Sequence, residues 1–513
     1  MLRFDKLAPN RYPQVRELMA KCKQYARQAK KYPSIFEATL SELRDKVPPR
    51  NIADRLFQSY LESFETVFRL HHIISFKHEY EEYWSDPTSA KDGFIVKLLL
   101  VLALGTCFDD HDSAESFYQA SMQWVVAAHA WANSPYNKRR SSLVEVQIHC
   151  LLLLARQTHA AGGDMVWVSS GTLLRAAMQL GLHRDPSCLP VASPIEAEVR
   201  KRVWATAVEL LAQTSIDAGQ PPLISVDDFD CGPPSEVDDF DNQDHAVDAQ
   251  MPVQKILLES LPVRLEIAKF LNHFRSDLSY SKALELSTRL TKSIDIPPVP
   301  PRPSSESQLF QRKMVGFLLH RFLIVLHQAF AAKVTGSPTF YFSRKMCADA
   351  SLLVLNFNQP APESTYFMKL MSLGNGIFHT SLLQAAACIL LEQTLQQEEV
   401  SNIPSFVTQS SLISQQEQRQ ALHFYHDVLR ERLKRGQSNF KAYILLSSAI
   451  LQLDETQNPT ESEKISHVEK LLQECTDILA QVSGQTEMTN GQQETPSQQT
   501  SDFGDFGFDM VSF

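Results

Sequence analysis

Apolar residues along this chain recur at three- and four-residue intervals, and few runs alternate at period two. That spacing lines side chains along one face of an α-helix. Ile52, Leu56, Tyr60, Phe64 and Val67 repeat in this way and predict a helix from Ile52 to Phe68 with one buried face. The basic, amphipathic stretch from Val15 to Arg44 predicts another, stopping before Val47-Pro48-Pro49. "SAESFYQASMQWVVAAHAWA" and "SSLVEVQIHCLLLLARQ" continue as helices, and the second, apolar nearly all round, belongs in the interior. The most apolar stretch, "GFIVKLLLVLALGTCF", is interrupted by Lys97. It is shorter than the roughly 20 residues that span a bilayer, so it predicts a buried core helix.

Two helices near the middle are sharply punctuated. One runs from Gly171 to Leu180 after Ser169-Ser170 and is stopped by Gly181, with Leu182 placed to fold back on the last turn. The next starts with Ser193 as cap, Pro194 in the first turn and Glu196 closing a capping box, and runs to Gly219. "QPPLISVDDFDCGPPSEVDDFDNQD" then reads as a long surface loop. Helices resume from Val253 to Leu290, and "IPPVPPRPSSES" reads as an extended connection. Further helices are predicted over Gln308–Ala332, Ser343–Leu355, Leu382–Gln396, Gln415–Arg435, Phe440–Leu453 and Ser462–Val482. The expected fold class is all-α.

Composition narrows the function. With 43% hydrophobic and 21% charged residues, the 513-residue chain has the balance of a globular protein. A net charge of -10 opposes nucleic acid, whose affinity rests on clustered Lys and Arg, so DNA contact needs a basic module or a partner. The eight cysteines lie about forty or more residues apart, which suits neither a disulfide framework nor a metal knuckle. Reduced, buried thiols of a cytosolic or nuclear protein are expected. "MLRFDKLAPNRYP" has charges where a signal peptide is apolar, so a soluble protein, neither secreted nor membrane-bound, is expected.

Several stretches hold residues capable of chemistry. In "LHRDP", His183 beside Asp185 has the make-up of a general base held by an acid. No G-x-S-x-G elbow accompanies it, and a helix stop accounts for it: His183 and Arg184 fall near free carbonyls, and Pro186 bars resumption. "CFDDHDSAE" offers Asp109, Asp110 and Asp112 as Mg²⁺ ligands of an all-helical enzyme acting on prenyl diphosphates. Ser113 stands where such a box needs a carboxylate, and no second acidic box follows, so a polar loop is preferred. "VDDFDCGPPSEVDDFD" reads as a solvated acidic loop, and the basic clusters 137–140 and 200–202 as solvated faces. GxGxxG, P-loop, HExxH and CxxC patterns are absent, and no catalytic residue, cofactor or metal ligand is assigned.

From Gln485 onward the chain is rich in Gln, Thr and Ser and lacks Lys and Arg, a composition that predicts disorder. Within it Phe503, Phe506 and Phe508, with Met510 and Phe513, interleave with Asp502, Asp505 and Asp509. Aromatic side chains kept exposed by neighbouring acids suit capture in a partner's groove.

"GTLLRAAMQLGLHRDPS", followed by "EAEVRKRVWATAVELLAQTSIDAGQPPLISVDDFDCGPP", resembles the regulatory middle region of fungal zinc-cluster transcription factors. "VPPRNIADRLFQSYLESFETVFRLHHIISFKHEYEEYW" resembles the start of that region, and "RFLIVLHQAF" with "SRKMCADASLLVL" its later helices. Gln220 stands where the family often has Arg, and Ala205 replaces a frequent aromatic. The family's six-cysteine zinc cluster has no counterpart, since only Cys22 precedes the matching part, so zinc and direct DNA contact are transferred to no residue.

The resemblance implies a nuclear transcriptional regulator of a metabolic or secondary-metabolite gene set. Its implied partners are coactivators or another DNA-binding regulator, with promoter DNA contacted directly only through an upstream module, and a homodimer is an open alternative. The expected organisation is a helical segment over 1–46, the regulatory region over 47–355, a C-terminal helical part over 356–484 and the acidic-aromatic tail over 485–513. The magnesium enzyme and a co-regulator without DNA contact are the alternatives.

Overall fold

A computed structural model of the chain describes residues 13–29, 43–109, 114–133, 142–159, 165–190, 193–235, 251–273, 278–294, 305–333, 338–356, 365–400, 409–437, 439–454 and 460–490. Among these residues every regular element is helical. In chain order they are α1 (Pro13–Ala29), α2 (Arg50–Glu62), α3 (Phe64–Phe68), α4 (Ile73–Ser85), α5 (Asp92–Gly105) and α6 (Ala114–Ala132). There follow α7 (Leu143–Thr158), α8 (Val166–Gln179), α9 (Pro194–Asp217), α10 (Val253–Leu271), α11 (Tyr280–Ser293) and α12 (Glu306–Ala331). The rest are α13 (Tyr341–Leu355), α14 (Thr365–Leu373), α15 (Gly376–Val400), α16 (Gln409–Lys434), α17 (Phe440–Asp454) and α18 (Glu461–Asn490). The all-α expectation holds. The chain divides into a larger unit, residues 33–330 and 345–388, and a smaller one, residues 1–32, 331–344 and 389–513.

In the larger unit α5 is the central rod. Its residues from Phe94 to Gly105 are buried, and it packs against α2, α6 and α7. Lys97, the one charge in its apolar run, is kept by pairing with Glu79 at 3.0 Å and by lying 4.6 Å from the centre of the Phe76 ring. At the other end Gly105 meets the backbone of Leu56, where any Cβ would collide with the Leu56 carbonyl. Only glycine allows α2 and α5 to cross so closely. The helix α12 is long and apolar enough to span a bilayer, and most of it is buried, as a core helix is.

Local chemistry moves several boundaries. The helix predicted from Ile52 to Phe68 breaks at Ser63, whose hydroxyl donates to the Ser59 carbonyl while Thr66 donates to the carbonyl of Ser63. Such hydroxyls compete for the carbonyls a helix needs. The second half ends at Arg69 in a left-handed conformation, φ 38°. Ser169 and Ser170, read as the approach to a helix, lie inside α8. Their hydroxyls are occupied there: Ser170 donates to Trp167 at 2.7 Å, and Ser169 accepts from Arg156 at 2.7 Å. The helices predicted over Val253–Leu290 are two, α10 and α11. The short α14 had no counterpart in the sequence reading.

In the smaller unit α1 lies along α18, and α16, α17 and α18 pack on one another. Val15, Cys22 and Ala26 are the buried residues on α1 among those whose side chains are described, and Cys22 reaches Thr476 Oγ1 at 3.2 Å. Arg344 and Glu392, both buried, pair at 2.5 Å. The last helix continues to Asn490, past the compositional change at Gln485. Residues 491–513 lie outside the described part.

Candidate functional site

The HRDP corner of the larger unit comes first. Gly181 has φ 75°, and the N–H groups of Gly181 and Leu182 donate to Met178 and Ala177 at 2.9 and 3.0 Å. This is a Schellman stop, with Leu182 buried behind it. Neither His183 nor Arg184 caps the free carbonyls, which corrects the sequence reading. Arg200, a full helix start away on α9, donates to the Leu180 carbonyl at 2.7 Å.

Arg184 instead meets Asp230 at 3.0 Å, and Asp230 also accepts the Asp185 N–H at 2.7 Å. The His183 carbonyl accepts from the N–H groups of Asp230 and Cys231, each at 3.1 Å. Thus the described part of the downstream acidic loop, though exposed, is tied to the corner through Asp230 and Cys231. Asp185 caps the turn at Pro186–Cys188, and hydrogen bonds from Ser187, helped by Lys201 at 3.3 Å, hold its carboxyl down at about 2. With Asp185 so committed, nothing holds His183 as a base: its Nδ1 is buried without a hydrogen-bond partner, and the ring sits 6.2 Å from Trp204. The corner is a joint between α8, α9 and the loop.

Deeper in the same unit lies a polar seam. Glu209 on α9 is gripped through both oxygens by Arg264 of α10, at 2.8 and 2.7 Å, and both side chains are buried. Arg264 Nε donates to Ser260, and its guanidinium lies 5.3 Å from the centre of the Phe322 ring. One turn along α9, Gln213 donates to Glu209 at 2.7 Å and to the Leu318 carbonyl at 3.0 Å, and accepts from Arg321 of α12. Arg321 also donates to Ser381 and, at 3.1 Å, to Asp217, which accepts from Thr380 at 2.6 Å. Burial lowers the Arg321 pKa while Asp217 and Glu209 raise it again.

Two guanidinium groups therefore face two carboxylates along one line from core to surface. Buried charges persist when paired and hydrogen-bonded in this way. No group on the line is left to exchange a proton with a substrate. Its sequence signal was available and not used: Glu209, Gln213 and Asp217 recur every fourth residue within an apolar helix.

The remaining motifs divide. The Asp109 side chain is 5% exposed and pairs with Arg55 at 3.3 Å, while Asp110 and Asp112 lie outside the described residues. No group of three His, Cys, Asp or Glu able to hold a metal occurs among the described residues. Seven of the eight cysteines are buried, Cys188 is exposed, and all are free, so they do not fit a zinc cluster. The cluster at 200–202 is no solvated face: Arg202 is buried, paired with Glu198 at 3.0 Å. The cluster at 137–140 lies outside the described residues. So do all the tail residues Asp502, Phe503, Asp505, Phe506, Phe508 and Asp509.

Comparison with known proteins gives these residues a setting. Residues 57–294, which contain the HRDP corner and part of the polar seam, match the fungal specific transcription factor domain. The transcription factor lepE of Aspergillus flavus is 32% identical over 493 residues, covering 90% of this chain and 59% of that protein. The transcription factor opdR of Penicillium oxalicum is 33% identical over 392 residues, 71% of this chain and 49% of its own length. The aspyridones cluster regulator apdR of Emericella nidulans is 30% identical over 351 residues, 63% and 47% of the two chains. Other relatives carry "Zn(2)-C6 fungal-type" in their names. The chain spans about half the length of these relatives. No solved structure matches. The matches are to transcription factors, and the magnesium-enzyme alternative is set aside with them.

Proposed function

Through residues 57–294 this chain belongs to the fungal-specific transcription factor domain family, and on that premise we propose that it regulates transcription of a fungal secondary-metabolite gene cluster. The match over that region carries the reading, and the name of apdR, a cluster regulator, supports the class of target. A regulator of this kind works in the nucleus. The all-helical domain, its helices joined by the HRDP corner and the buried seam, suits transmitting a signal or holding a partner rather than turning over a substrate. With a net charge of -10 and no cysteine group fit for zinc, promoter DNA is reached through an upstream basic module or through a DNA-binding partner.

Deleting and overexpressing the gene, each followed by RNA sequencing, tests this reading. Coordinated change in one contiguous set of biosynthetic genes is expected; unchanged transcripts in both strains would refute it. The acidic-aromatic tail supplies the contact with coactivator. Replacing Phe503, Phe506 and Phe508 together by Ala should remove most reporter activation with the melting of the folded body unchanged. Full activation by that variant would rule the tail out.

A further inference from the structure

Arg139 and Arg140 are the only adjacent arginines in the 513-residue sequence, and they run, after Lys138, into Ser141-Ser142-Leu143. The structure describes this stretch from Ser142 onward. Ser142 is the N-cap of α7, with an extended backbone at φ -123° and ψ 152° and a half-buried side chain. Its hydroxyl oxygen accepts the Glu145 N–H at 3.3 Å, a long bond and the hydroxyl's only one among the described residues. Leu143 and Val144 are half-buried as well, and the buried part of the helix begins at Glu145 and Val146. Ser142 therefore stands at the accessible edge of a packed helix.

A serine with arginines two and three residues before it and an apolar residue after it is the pattern that basic-directed protein kinases read. Each guanidinium fork pairs with a carboxylate in the kinase cleft. Ser142 has that pattern, with Arg139, Arg140 and Leu143, whereas Ser141 is one residue out of register. We propose that Ser142 is phosphorylated by a serine/threonine kinase of this class, and that the phosphate takes over the cap of α7. The γ-phosphoryl group of Mg·ATP moves to Ser142 Oγ, where the new P–O bond forms. The β,γ-bridging P–O bond breaks, ADP leaves with its electron pair, and the hydroxyl proton passes to the kinase's base. The phosphate brings acceptor oxygens to the N–H groups of the first turn, where the helix dipole favours negative charge. Glu145 opposes it from the same turn by like charge. Attraction and repulsion arise within one turn and largely offset, so the helix keeps its start. What changes is the charge of the approach. The three basic residues at 138–140 then stand beside a group of about -1.5 to -2 at neutral pH, which leaves about one positive charge. None of this depends on whether the chain regulates a gene cluster.

The test incubates the folded full chain with Mg·ATP and the catalytic subunit of cyclic-AMP-dependent protein kinase, a basic-directed enzyme, and locates phosphate by tandem mass spectrometry. Phosphate on Ser142 is expected. Arg139→Ala with Arg140→Ala should slow its incorporation about a hundredfold, the loss of two charge-assisted contacts to the kinase. Ser141→Ala should leave the rate at Ser142 unchanged. The phosphorylated chain should still melt cooperatively, within a few degrees of the unmodified one. Absence of phosphate from Ser142, incorporation there as fast in the double arginine variant, or loss of cooperative melting on phosphorylation would overturn the proposal. If the double Ala variant does not fold, Arg139→Lys with Arg140→Lys keeps both charges and removes both forks. An undiminished rate in that variant overturns the proposal equally.

Discussion

The HRDP corner and the polar seam lie in the same unit, share α9 and use the same kinds of pair, yet differ in what holds them. At the corner, Arg184 and Asp230 are half exposed, and a backbone stop at Gly181 fixes the geometry before either charge acts. In the seam, Glu209 and Arg264 are buried, and each is tenable only because the other is present. A surface pair trims a geometry that the backbone has chosen, whereas a buried pair decides which helix packings are allowed.

The largest expected effect is therefore in the seam. Arg264→Ala strands the Glu209 carboxylate in the core and should cost about 3–5 kcal/mol of stability by urea unfolding. Replacing Glu209 and Arg264 together by Leu and Met should restore most of that loss, since an apolar pair of similar volume leaves no charge behind. A double variant as unstable as the single one would show that the seam is not a pair in this sense.

A middling effect is expected at the corner's backbone. Gly181→Ala forces a side chain into φ 75° and should cost about 1–2 kcal/mol, which the same unfolding experiment measures. The seam should be untouched by it, so Gly181→Ala and Arg264→Ala should add.

The smallest effect is electrostatic. Asp185 has its folded pKa lowered from 3.8 to about 2, so its contribution is full above the unfolded value and is lost as pH falls toward about 2. Asp185→Asn should flatten the acid limb of the stability profile across that window, lowering stability at neutral pH by the small amount that wild type loses on acidification and leaving it unchanged below about pH 2. A large loss at pH 7 would mean that the corner depends on its charges as the seam does.

Much of the corner was legible in the sequence because its causes are local. Gly181 with Leu182 announces a Schellman stop, and Ser193, which accepts the Glu196 N–H at 3.1 Å, announces the start of α9. The central α5 was readable for a similar reason, since an unbroken apolar run has nowhere to go but the interior. What misled were charges. "RKR" has the composition of a solvated face, but Arg202 turns inward to Glu198 and the His71 carbonyl, a neighbour 131 residues away. The acidic loop looked like mere solubility, yet Asp230 crosses 45 residues to hold the Asp185 N–H. Asp109 invited a metal until Arg55 was found beside it.

The chain's own sequence thus determined that it is helical, where most helices start and stop, and which stretches are buried. Each follows from forces acting within a few residues: backbone hydrogen bonding, capping and the periodic exposure of apolar side chains. Only the tertiary structure decided which charges meet. The partners of Glu209, Arg321 and Asp109 lie 55, 104 and 54 residues away, and composition assigns no partner across such distances.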